Sequence, residues 1–271
     1  MDDAPVTPSE QGAKDRARLY RTPAIVLRRS DFGEADRLVT VLTPAMGKLR
    51  LLAKGVRRPT SHKAGHLELF TLAQLLVARG RTLDLVSQAE AMELYRPLRE
   101  DLLRAAHAYY VAELVDRLAQ EELESAALFA AFRDALGWLA ESANLPLTTR
   151  YVELQLLQAG GVQPQLHCCV RCGQPLEPAD HWFSWEEGGV CCQACGADER
   201  GLTPLSLGAL KVLRFLQTRP YGLVMQLRLS PAVMREVEEL LQRHLEYHLE
   251  RRLESAALLR QLRGPTLAPE A

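Results

Sequence analysis

All six cysteines of the chain lie in one short segment, from Cys168 to Cys195. A secreted protein stapled by disulfides would spread its cysteines to close loops, so this clustering favours metal binding. The same knuckle occurs twice, as Cys169-Val-Arg-Cys172-Gly173 and as Cys192-Gln-Ala-Cys195-Gly196. Two thiolates three positions apart reach one ion, and the following glycine permits the tight turn that brings backbone amides toward sulfur.

The two knuckles predict a zinc ribbon, because the nineteen residues between Cys172 and Cys192 match the usual spacing of a four-cysteine site. A site closed by four thiolates has no position for water, so we expect one structural Zn²⁺ without a catalytic role. The expected ligands are Cys169, Cys172, Cys192 and Cys195. Cys168 and Cys191 each precede a knuckle and leave the ligand register open, with His167 and His181 as expected bystanders. Three aromatic residues between the knuckles are expected to cover the metal and form the ribbon's own core: Trp182, Phe183 and Trp185.

A second candidate functional region is the cluster of positively charged residues between Lys14 and His66. Thirteen Lys and Arg stand there against four acidic residues, a net charge of +9 in a chain whose total is −1. A solvated charged rim is the simpler interpretation of such a segment. The strand pattern described next favours phosphate binding without base preference. The candidate DNA contacts are Arg28, Arg29, Arg37, Lys48, Arg50, Lys54, Arg57, Arg58 and Lys63.

These cations lie on or next to predicted strands, which are short β-branched or apolar runs separated by turn signals. The runs are Ala24–Arg29, Leu38–Leu42, Lys48–Lys54, Leu69–Val77, Thr82–Val86 and a further candidate at Ala89–Leu94. In the third run the cations occupy one parity and the apolar residues the other, so the cations should face solvent. A basic loop from Gly55 to His66 is expected to be solvated and mobile. Five or six strands with one long connection predict a small barrel of the OB type, which binds single-stranded nucleic acid.

From Pro97 the hydrophobic period becomes helical, and helices are expected up to a stop signal at Gly160-Gly161. Tyr109 and Tyr110 lie on the apolar stripe and are assigned to core packing, with base stacking as the alternative. Two further helical segments are predicted at Ser206–Gln217 and Pro231–Leu262. Their apolar side is expected to pack on residues 97–160 as one bundle interrupted by the ribbon, or else to receive a partner.

Composition and short motifs reduce the number of functions that this chain could have. Hydrophobic residues make up 47% and charged residues 25%, and no run of about 18 apolar residues occurs, which is typical of a cytoplasmic protein. Gly47-Lys48 lacks the upstream glycine of a phosphate-binding loop, so no nucleotide cofactor or hydrolysis is expected. His66-Leu67-Glu68 resembles half of a zinc deaminase signature, but both CxxC motifs are used in the ribbon. A zinc-ribbon regulator of transcription is a further alternative, although no recognition helix stands out.

The order of motifs resembles the RecO family of bacterial recombination mediators over about residues 20–262. The shared features are Gly33-Glu34 before Asp36-Arg37, Thr43-Pro44 with Gly47-Lys48, Lys54-Gly55 with Arg57-Arg58-Pro59, Gly188-Gly189-Val190 before Cys192, and Arg251-Arg252-Leu253-Glu254-Ser255. Cys168 and Cys191 depart from the simplest four-cysteine pattern.

The resemblance implies a non-enzymatic, nucleoid-associated protein that binds single- and double-stranded DNA and anneals complementary strands. Such proteins act with RecR, and sometimes RecF, to load RecA onto DNA coated by single-stranded-DNA-binding protein. We expect the acidic C-terminal tail of that coating protein to dock on residues 235–262, with Arg243, Arg251 and Arg252 as contacts.

The expected architecture is α+β and multidomain. It comprises a tail (1–19), an OB-fold barrel (20–96), a helical bundle (97–164 and 201–262), an inserted four-cysteine zinc ribbon (165–200) and a second tail (263–271).

Overall fold

A computed structural model describes residues 19–197, 199–249 and 253–262. The predicted tails fall outside these residues, except for Leu19, which begins the first strand. The elements in chain order are β1 (Leu19–Phe32), β2 (Asp36–Thr43), β3 (Gly47–Ala53), a 3-10 helix (Ala64–Leu67), β4 (Leu72–Ala78), β5 (Asp84–Glu93), α1 (Pro97–Glu100), α2 (Leu102–Leu118), α3 (Ala126–Glu141), α4 (Leu145–Ala159), β6 (His181–Ser184), β7 (Gly189–Cys191), α5 (Gln193–Gly196), β8 (Thr203–Leu205), α6 (Leu207–Thr218), α7 (Tyr221–Val224), α8 (Pro231–Leu249) and α9 (Glu254–Leu262). Within these residues, no helix has the length and apolar character that a membrane crossing requires.

The first five strands close into a barrel in the order β1-β2-β3-β5-β4. β1 pairs with both β2 and β4, and the closing pair of β3 and β5 is parallel. This arrangement confirms the predicted OB-type barrel. The two runs predicted at Thr82–Val86 and Ala89–Leu94 are one strand, because β5 continues through register shifts opposite β4 and does not turn between them.

The barrel interior follows the alternation predicted from the sequence. Leu51 and Ala53 of β3 are buried in the core, whereas Arg50 and the following Lys54 are exposed. Each other strand contributes its inward row to the same core: Ala24, Val26, Val39, Val41, Ala73, Leu75, Val77 and Val86. The predicted parity of the third run is therefore confirmed.

One residue in β1 breaks the alternation. Val26 pairs with Val41 and Arg28 pairs with Thr40, so Leu27 is an extra residue in β1, a β-bulge. The Val26 amide donates to the Thr71 carbonyl at 3.1 Å, and the Val26 carbonyl accepts from the Phe70 amide at 2.9 Å. Without this bulge Arg28 would keep the inward parity of Val26. The bulge directs Arg28 to the outer face of the barrel.

The long connection between β3 and β4 is anchored to the barrel. Val56 and Leu67 are buried in the barrel core, and the Arg57 amide donates to the Ala35 carbonyl at 2.9 Å. The amide of Ala91 in β5 donates to Nδ1 of His66 at 3.1 Å. The prediction of a solvated loop from Gly55 to His66 is therefore wrong for Val56, because its isolated apolar side chain reaches the core from irregular backbone. The buried Leu67 lies just beyond the predicted loop.

The chain divides into two compact units, and the division is not a single point in sequence. One unit runs to Arg96 and also includes Ala119–Arg133, while the other contains Pro97–Leu118 and the described residues from Asp134 onward. Residues 119–125 pair with the start of β3, since the Lys48 amide donates to the Gln120 carbonyl at 3.1 Å. A Cβ at Gly47 would lie 2.1 Å from the Leu123 carbonyl oxygen, so the close approach requires glycine.

In the second unit, α2, α4, α6, α8 and α9 form a helical bundle, while the short α5 contacts the ribbon strand β6. α4 ends at the predicted stop signal, with Gly161 in the left-handed region at φ +74°. Tyr110 is buried, as predicted, and its hydroxyl donates to Glu153. The same prediction is wrong for Tyr109, which is 46% exposed, because the buried side of α2 passes through Tyr110 and its helical neighbours.

The last helices pack on the earlier ones, as the sequence predicted. Leu240, Leu241 and Leu245 of α8 are buried, and α8 contacts α4 while α9 contacts α2. The predicted helix 231–262 is two helices, with α8 ending at Leu249 and α9 beginning at Glu254. The Glu113 carboxylate of α2 accepts hydrogen bonds from the Glu254 amide, at 3.1 Å, and from the Ser255 amide, at 2.9 Å.

Candidate functional site

A row of cations crosses the outer face of three adjacent strands. Arg28 of β1 is in register with Thr40 of β2, and Thr40 is in register with Arg50 of β3. Arg28 and Arg50 are exposed, as are Lys54 and Arg58 in the connection that follows β3. Within the described part of the chain, none of these four cations has an ion-pair partner. They are therefore the predicted DNA contacts with charge available to phosphate.

Three other predicted contacts belong to an ion-pair cluster at one end of the barrel. Arg29 and Arg37 lie on the inward parity of β1 and β2, in register with the core residues Val39 and Ala53. The cluster pairs Arg29 and Arg37 with Glu68, and Arg37 and Arg57 with Asp31. Because two carboxylates already compensate these three guanidiniums, the cluster has less charge to offer a phosphate.

The two remaining predicted contacts are also engaged. The backbone of Lys48 forms a β-bridge with Glu121, and its carbonyl accepts from the Glu122 amide at 3.5 Å. Lys63 donates from Nζ to the Val86 carbonyl at 2.9 Å. Burial lowers the pKa of Lys63 below its usual value, against the opposing effect of Asp36. The structure thus divides the nine predicted cations into four exposed ones without an ion-pair partner among the described residues and five whose backbone or side chain is already engaged.

A groove of about 610 Å³ lies between the Lys54–Lys63 connection and the outer face of β1, β4 and β5. Arg21 of β1 lines this groove together with Lys54, Arg58 and Lys63. Arg21 is not among the contacts predicted from the sequence. Its exposed position at the start of a strand opposite Leu76 follows only from the pairing of β1 with β4.

The ribbon brings the four predicted ligands together. The Sγ atoms of Cys169, Cys172, Cys192 and Cys195 all lie within 4.8 Å of one another. Zn–S bonds of about 2.3 Å place tetrahedral sulfurs roughly 3.8 Å apart. The sulfurs of Cys172 and Cys192 are 3.9 Å apart, so the four thiols fit one tetrahedral ion.

Backbone amides support this cluster, as the knuckle pattern predicted. The Cys192 amide donates to Sγ of Cys169 at 3.3 Å. Burial alone would raise the pKa of the Cys169 thiol, but the amides of Cys172, Cys192 and Arg171 outweigh it and lower the pKa to about 6. Hydrogen bonds from the neighbouring thiols, that of Cys192 first, raise the pKa of Cys195 to about 12. Thiolates this close together repel one another, and a bound divalent cation relieves that repulsion.

The glycines after the two knuckles act differently. Gly173 adopts the left-handed region at φ +72°, and its amide donates to the Cys169 carbonyl at 2.9 Å. Gly196 ends the short helix α5, where an added Cβ would lie 2.3 Å from Cδ1 of Trp182. The first glycine is needed for its backbone conformation and the second for the space that the indole ring occupies.

Cys168 and Cys191 lie outside the four-thiol group. Cys191 is buried in β7, and its thiol donates to Oε2 of Glu187 at 3.4 Å. Burial first, and then this carboxylate, raise the pKa of Cys191 to about 12, which disfavours the thiolate a metal ligand needs. His181 bonds through Nε2 to the Glu177 carbonyl at 2.8 Å. The geometry agrees with the register in which Cys169 and Cys192 begin the knuckles.

The ribbon shares its core with the helical bundle. Trp182 lies over the second knuckle at Gly196, as expected of a residue that covers the metal. Phe183 instead packs on Trp185 at 4.7 Å and on His244 of α8 at 5.7 Å between ring centroids. The prediction of a separate ribbon core is therefore wrong for Phe183. Trp185 stays within the ribbon, since it packs on Phe183 and donates from Nε1 to Oγ1 of Thr203 at 3.2 Å. The three-stranded sheet also includes Thr203–Leu205, beyond the predicted end of the ribbon at residue 200.

Among the predicted partner contacts, Arg243 is exposed on α8, while Arg251 and Arg252 lie outside the described residues. His66 and Glu68, which resemble half of a deaminase signature, make structural contacts within the barrel unit. His66 accepts from the Ala91 amide and Glu68 pairs with Arg29. Neither residue belongs to the four-thiol group identified within the described residues.

Comparison with known proteins gives consistent matches along the chain. The model of the recombination protein O N-terminal region matches residues 17–95, and that of its C-terminal region matches residues 99–257. A DNA repair protein RecO from Roseiflexus sp. (strain RS-1) is 46% identical over 248 residues, covering 92% of this chain and 87% of the relative. A DNA repair protein RecO from Desulforudis audaxviator (strain MP104C) is 39% identical over 246 residues, covering 90% and 98%. One from Dehalococcoides mccartyi (strain ATCC BAA-2266 / KCTC 15142 / 195) is 34% identical over 240 residues, covering 89% and 94%.

Proposed function

Because this chain belongs to the RecO family of DNA repair and recombination proteins, we propose that its barrel binds DNA through phosphates and anneals complementary strands. The observation that carries this proposal is the row of Arg28 and Arg50 across β1 to β3, extended by Lys54 and Arg58. These cations are exposed and have no ion-pair partner among the described residues. Phosphates of any sequence can reach them.

Charge neutralisation gives annealing a physical mechanism. Two complementary strands repel each other through their phosphates, and a cationic face that binds both lowers this repulsion. The step requires no bond to break and no general acid or base. We therefore propose a protein that is not an enzyme and uses no nucleotide cofactor.

The family also suggests partners for this chain. We propose that it acts with RecR, and with RecF in some reactions, to load RecA onto DNA coated by single-stranded-DNA-binding protein. The acidic tail of that coating protein is proposed to dock near Arg243, an exposed cation on α8. A cytoplasmic, nucleoid-associated location follows from these partners.

Strand annealing tests the proposal directly. Complementary oligonucleotides are mixed without nucleotide, and duplex formation is followed with and without protein. The change Arg28→Ala with Arg50→Ala should slow annealing and lower the slope of log affinity against log salt by about 1.4 for single strands, at roughly 0.7 per contact. The matched control is Arg219→Ala with Arg228→Ala, two exposed arginines of the helical unit. Equal effects of both pairs, or no acceleration by the unchanged protein, would exclude this function for the barrel face.

We also propose that the four-thiol group holds one structural zinc ion, supported by the 4.8 Å clustering of its sulfurs. Structural zinc contributes on the order of 10 kcal/mol to folding of a small module. Cys169→Ser with Cys192→Ser should remove the metal and open residues 165–200 to protease. Cys168→Ser with Cys191→Ala should keep one zinc per chain, as measured by elemental analysis. Equal metal loss in both variants would contradict the ligand assignment.

A further inference from the structure

We propose that the groove beside the Lys54–Lys63 connection holds the sugar–phosphate backbone of a single DNA strand and leaves its bases pointing outward. The inference rests on the proposed DNA-binding function and adds which part of the strand faces the protein. The groove has a volume of about 610 Å³ and lies wholly within the barrel unit. Three of its features carry the argument: charge, floor chemistry and the lack of large aromatic side chains.

The walls of the groove are cationic and held in place. Four cations line it, Arg21, Lys54, Arg58 and Lys63, against the single acid Glu90, which gives a net charge of +3. Lys63 is fixed by its hydrogen bond to the Val86 carbonyl of β5. The arm of Arg58 folds over Gly55, where an added Cβ would lie 3.6 Å from Cδ. Cations on both sides of a cleft attract a polyanion along its length.

The floor on β4 and β5 offers three neutral hydrogen-bonding side chains, those of Gln74, Ser87 and Gln88, between apolar residues. Arg21 of β1 is in register with Leu76 of β4, and Leu76 with Gln88 of β5. In the next row Gln74 of β4 faces Glu90 of β5. Amide side chains of this kind donate to phosphate and sugar oxygens without regard to sequence.

The groove lacks the large aromatic side chains on which bases usually stack. None of its fifteen lining residues is Phe, Tyr or Trp, and the imidazole of His62 is the one ring among them. Proteins that turn bases inward bind them by stacking on aromatic side chains. A groove with cations and amides but without large aromatic side chains favours the backbone. The Watson–Crick edges of the bound strand then remain free to pair with a second strand.

The first test locates the strand. Arg21→Ala with Arg58→Ala should lower the salt slope for an oligothymidine by about 1.4, again at roughly 0.7 per contact. Arg81→Ala, an exposed cation of the same unit that does not line the groove, is the control and should leave the slope unchanged. Replacing charged phosphates by neutral methylphosphonates should weaken binding to the unchanged protein more than to the double variant. Equal weakening would place the strand elsewhere, even though the protein still binds DNA.

The second test finds which side of the strand faces the protein. Permanganate attacks the faces of exposed thymines, so thymines of the bound oligothymidine should react as fast as those of the free strand. His62→Ala should leave the reactivity of the bound thymines unchanged, because no thymine stacks on the imidazole. Protected thymines, or protection that disappears in His62→Ala, would show that bases enter the groove and would overturn the proposal. A protein that binds no single strand at all would instead contradict the proposed function itself.

Discussion

At the level of the residue, Arg28 and Arg37 carry the same charge but differ in how readily they can bind phosphate. Both are arginines of the barrel and both were predicted to contact phosphate. The bulge at Leu27 turns Arg28 outward, whereas Arg37 lies on the inward parity and pairs with Asp31 at 3.1 Å. A guanidinium that already has a carboxylate partner must lose that contact before it binds phosphate.

This difference predicts the effect of single substitutions. Arg50→Ala should lower the salt slope for single-stranded DNA by about 0.7. Arg37→Ala removes the same formal charge but should lower the slope less, because Asp31 and Glu68 share its guanidinium. Filter binding across a salt series measures both slopes. Equal decreases would mean that net charge alone, and not position, governs binding.

His244 provides a prediction about pH. Burial is the main reason that the pKa of His244 falls to about 4, and the nearby His248 lowers the pKa further. The hydrogen bond that Nε2 donates to the Val162 carbonyl, at 3.0 Å, acts in the opposite direction. The unfolded chain therefore takes up a proton below about pH 6.5 that the folded protein does not, so stability is present above that pH and falls as the pH decreases toward 4. Between about pH 7.5 and about pH 5, titration of this residue should lower the free energy of unfolding by roughly 2 kcal/mol.

Urea unfolding at the two pH values measures this loss. His244→Gln keeps a donor for the Val162 carbonyl but cannot titrate, so its stability should fall less between them. A parallel fall in both proteins would assign the pH dependence to other groups.

At the level of elements, α9 depends on a residue far away in sequence. The Glu113 carboxylate accepts from the first two amides of α9 and from the Ser255 hydroxyl. Burial raises the pKa of Glu113, but these hydrogen bonds and Arg117 outweigh it and lower the pKa below its usual value. The carboxylate therefore serves as a helix cap supplied by another helix.

Glu113→Ala should destabilise α9 by about 1 kcal/mol, the usual effect of losing an N-terminal cap. Hydrogen exchange of the amides of residues 254–262 measures the local change. Glu113→Gln retains an acceptor oxygen and should exchange more slowly than Glu113→Ala. If all three proteins exchange alike, the cap does not stabilise α9. The contribution should be present above pH 4.5 and lost below it, because the folded carboxyl has the lower pKa.

Local patterns predicted the elements well, and long-range contacts account for what they missed. Alternation identified the inward row at Leu51 and Ala53, and the repeated CxxC identified the four cysteines that the structure brings together. The bulge at Leu27 could not be predicted, because an extra residue appears only when β1 is aligned with β2. Phe183 was assigned to the wrong core because its partner His244 lies on a helix about 60 residues later.

At the scale of the whole molecule, the barrel and the ribbon have separate cores. The barrel core is built from residues between Tyr20 and Ala89, and the ribbon lies in the other unit. Removal of the proposed zinc by a chelator should therefore loosen residues 165–200 while the affinity of the barrel for oligothymidine remains unchanged. Limited proteolysis and DNA titration of the same sample measure the two effects. Loss of DNA binding in step with the metal would show that the ribbon supports the DNA site.

The contribution of residues 119–133 to the barrel unit has a consequence for the inheritance of this protein. The chain passes between the two units three times, after Arg96, Leu118 and Arg133. A single genetic exchange at residue 96 would therefore separate β3 from the segment that pairs with it at Gln120 and Glu121. The hybrid would combine a barrel and a pairing segment that had not evolved together. A single exchange after Arg133 would keep the two together, but it would also carry Pro97–Leu118 of the other unit.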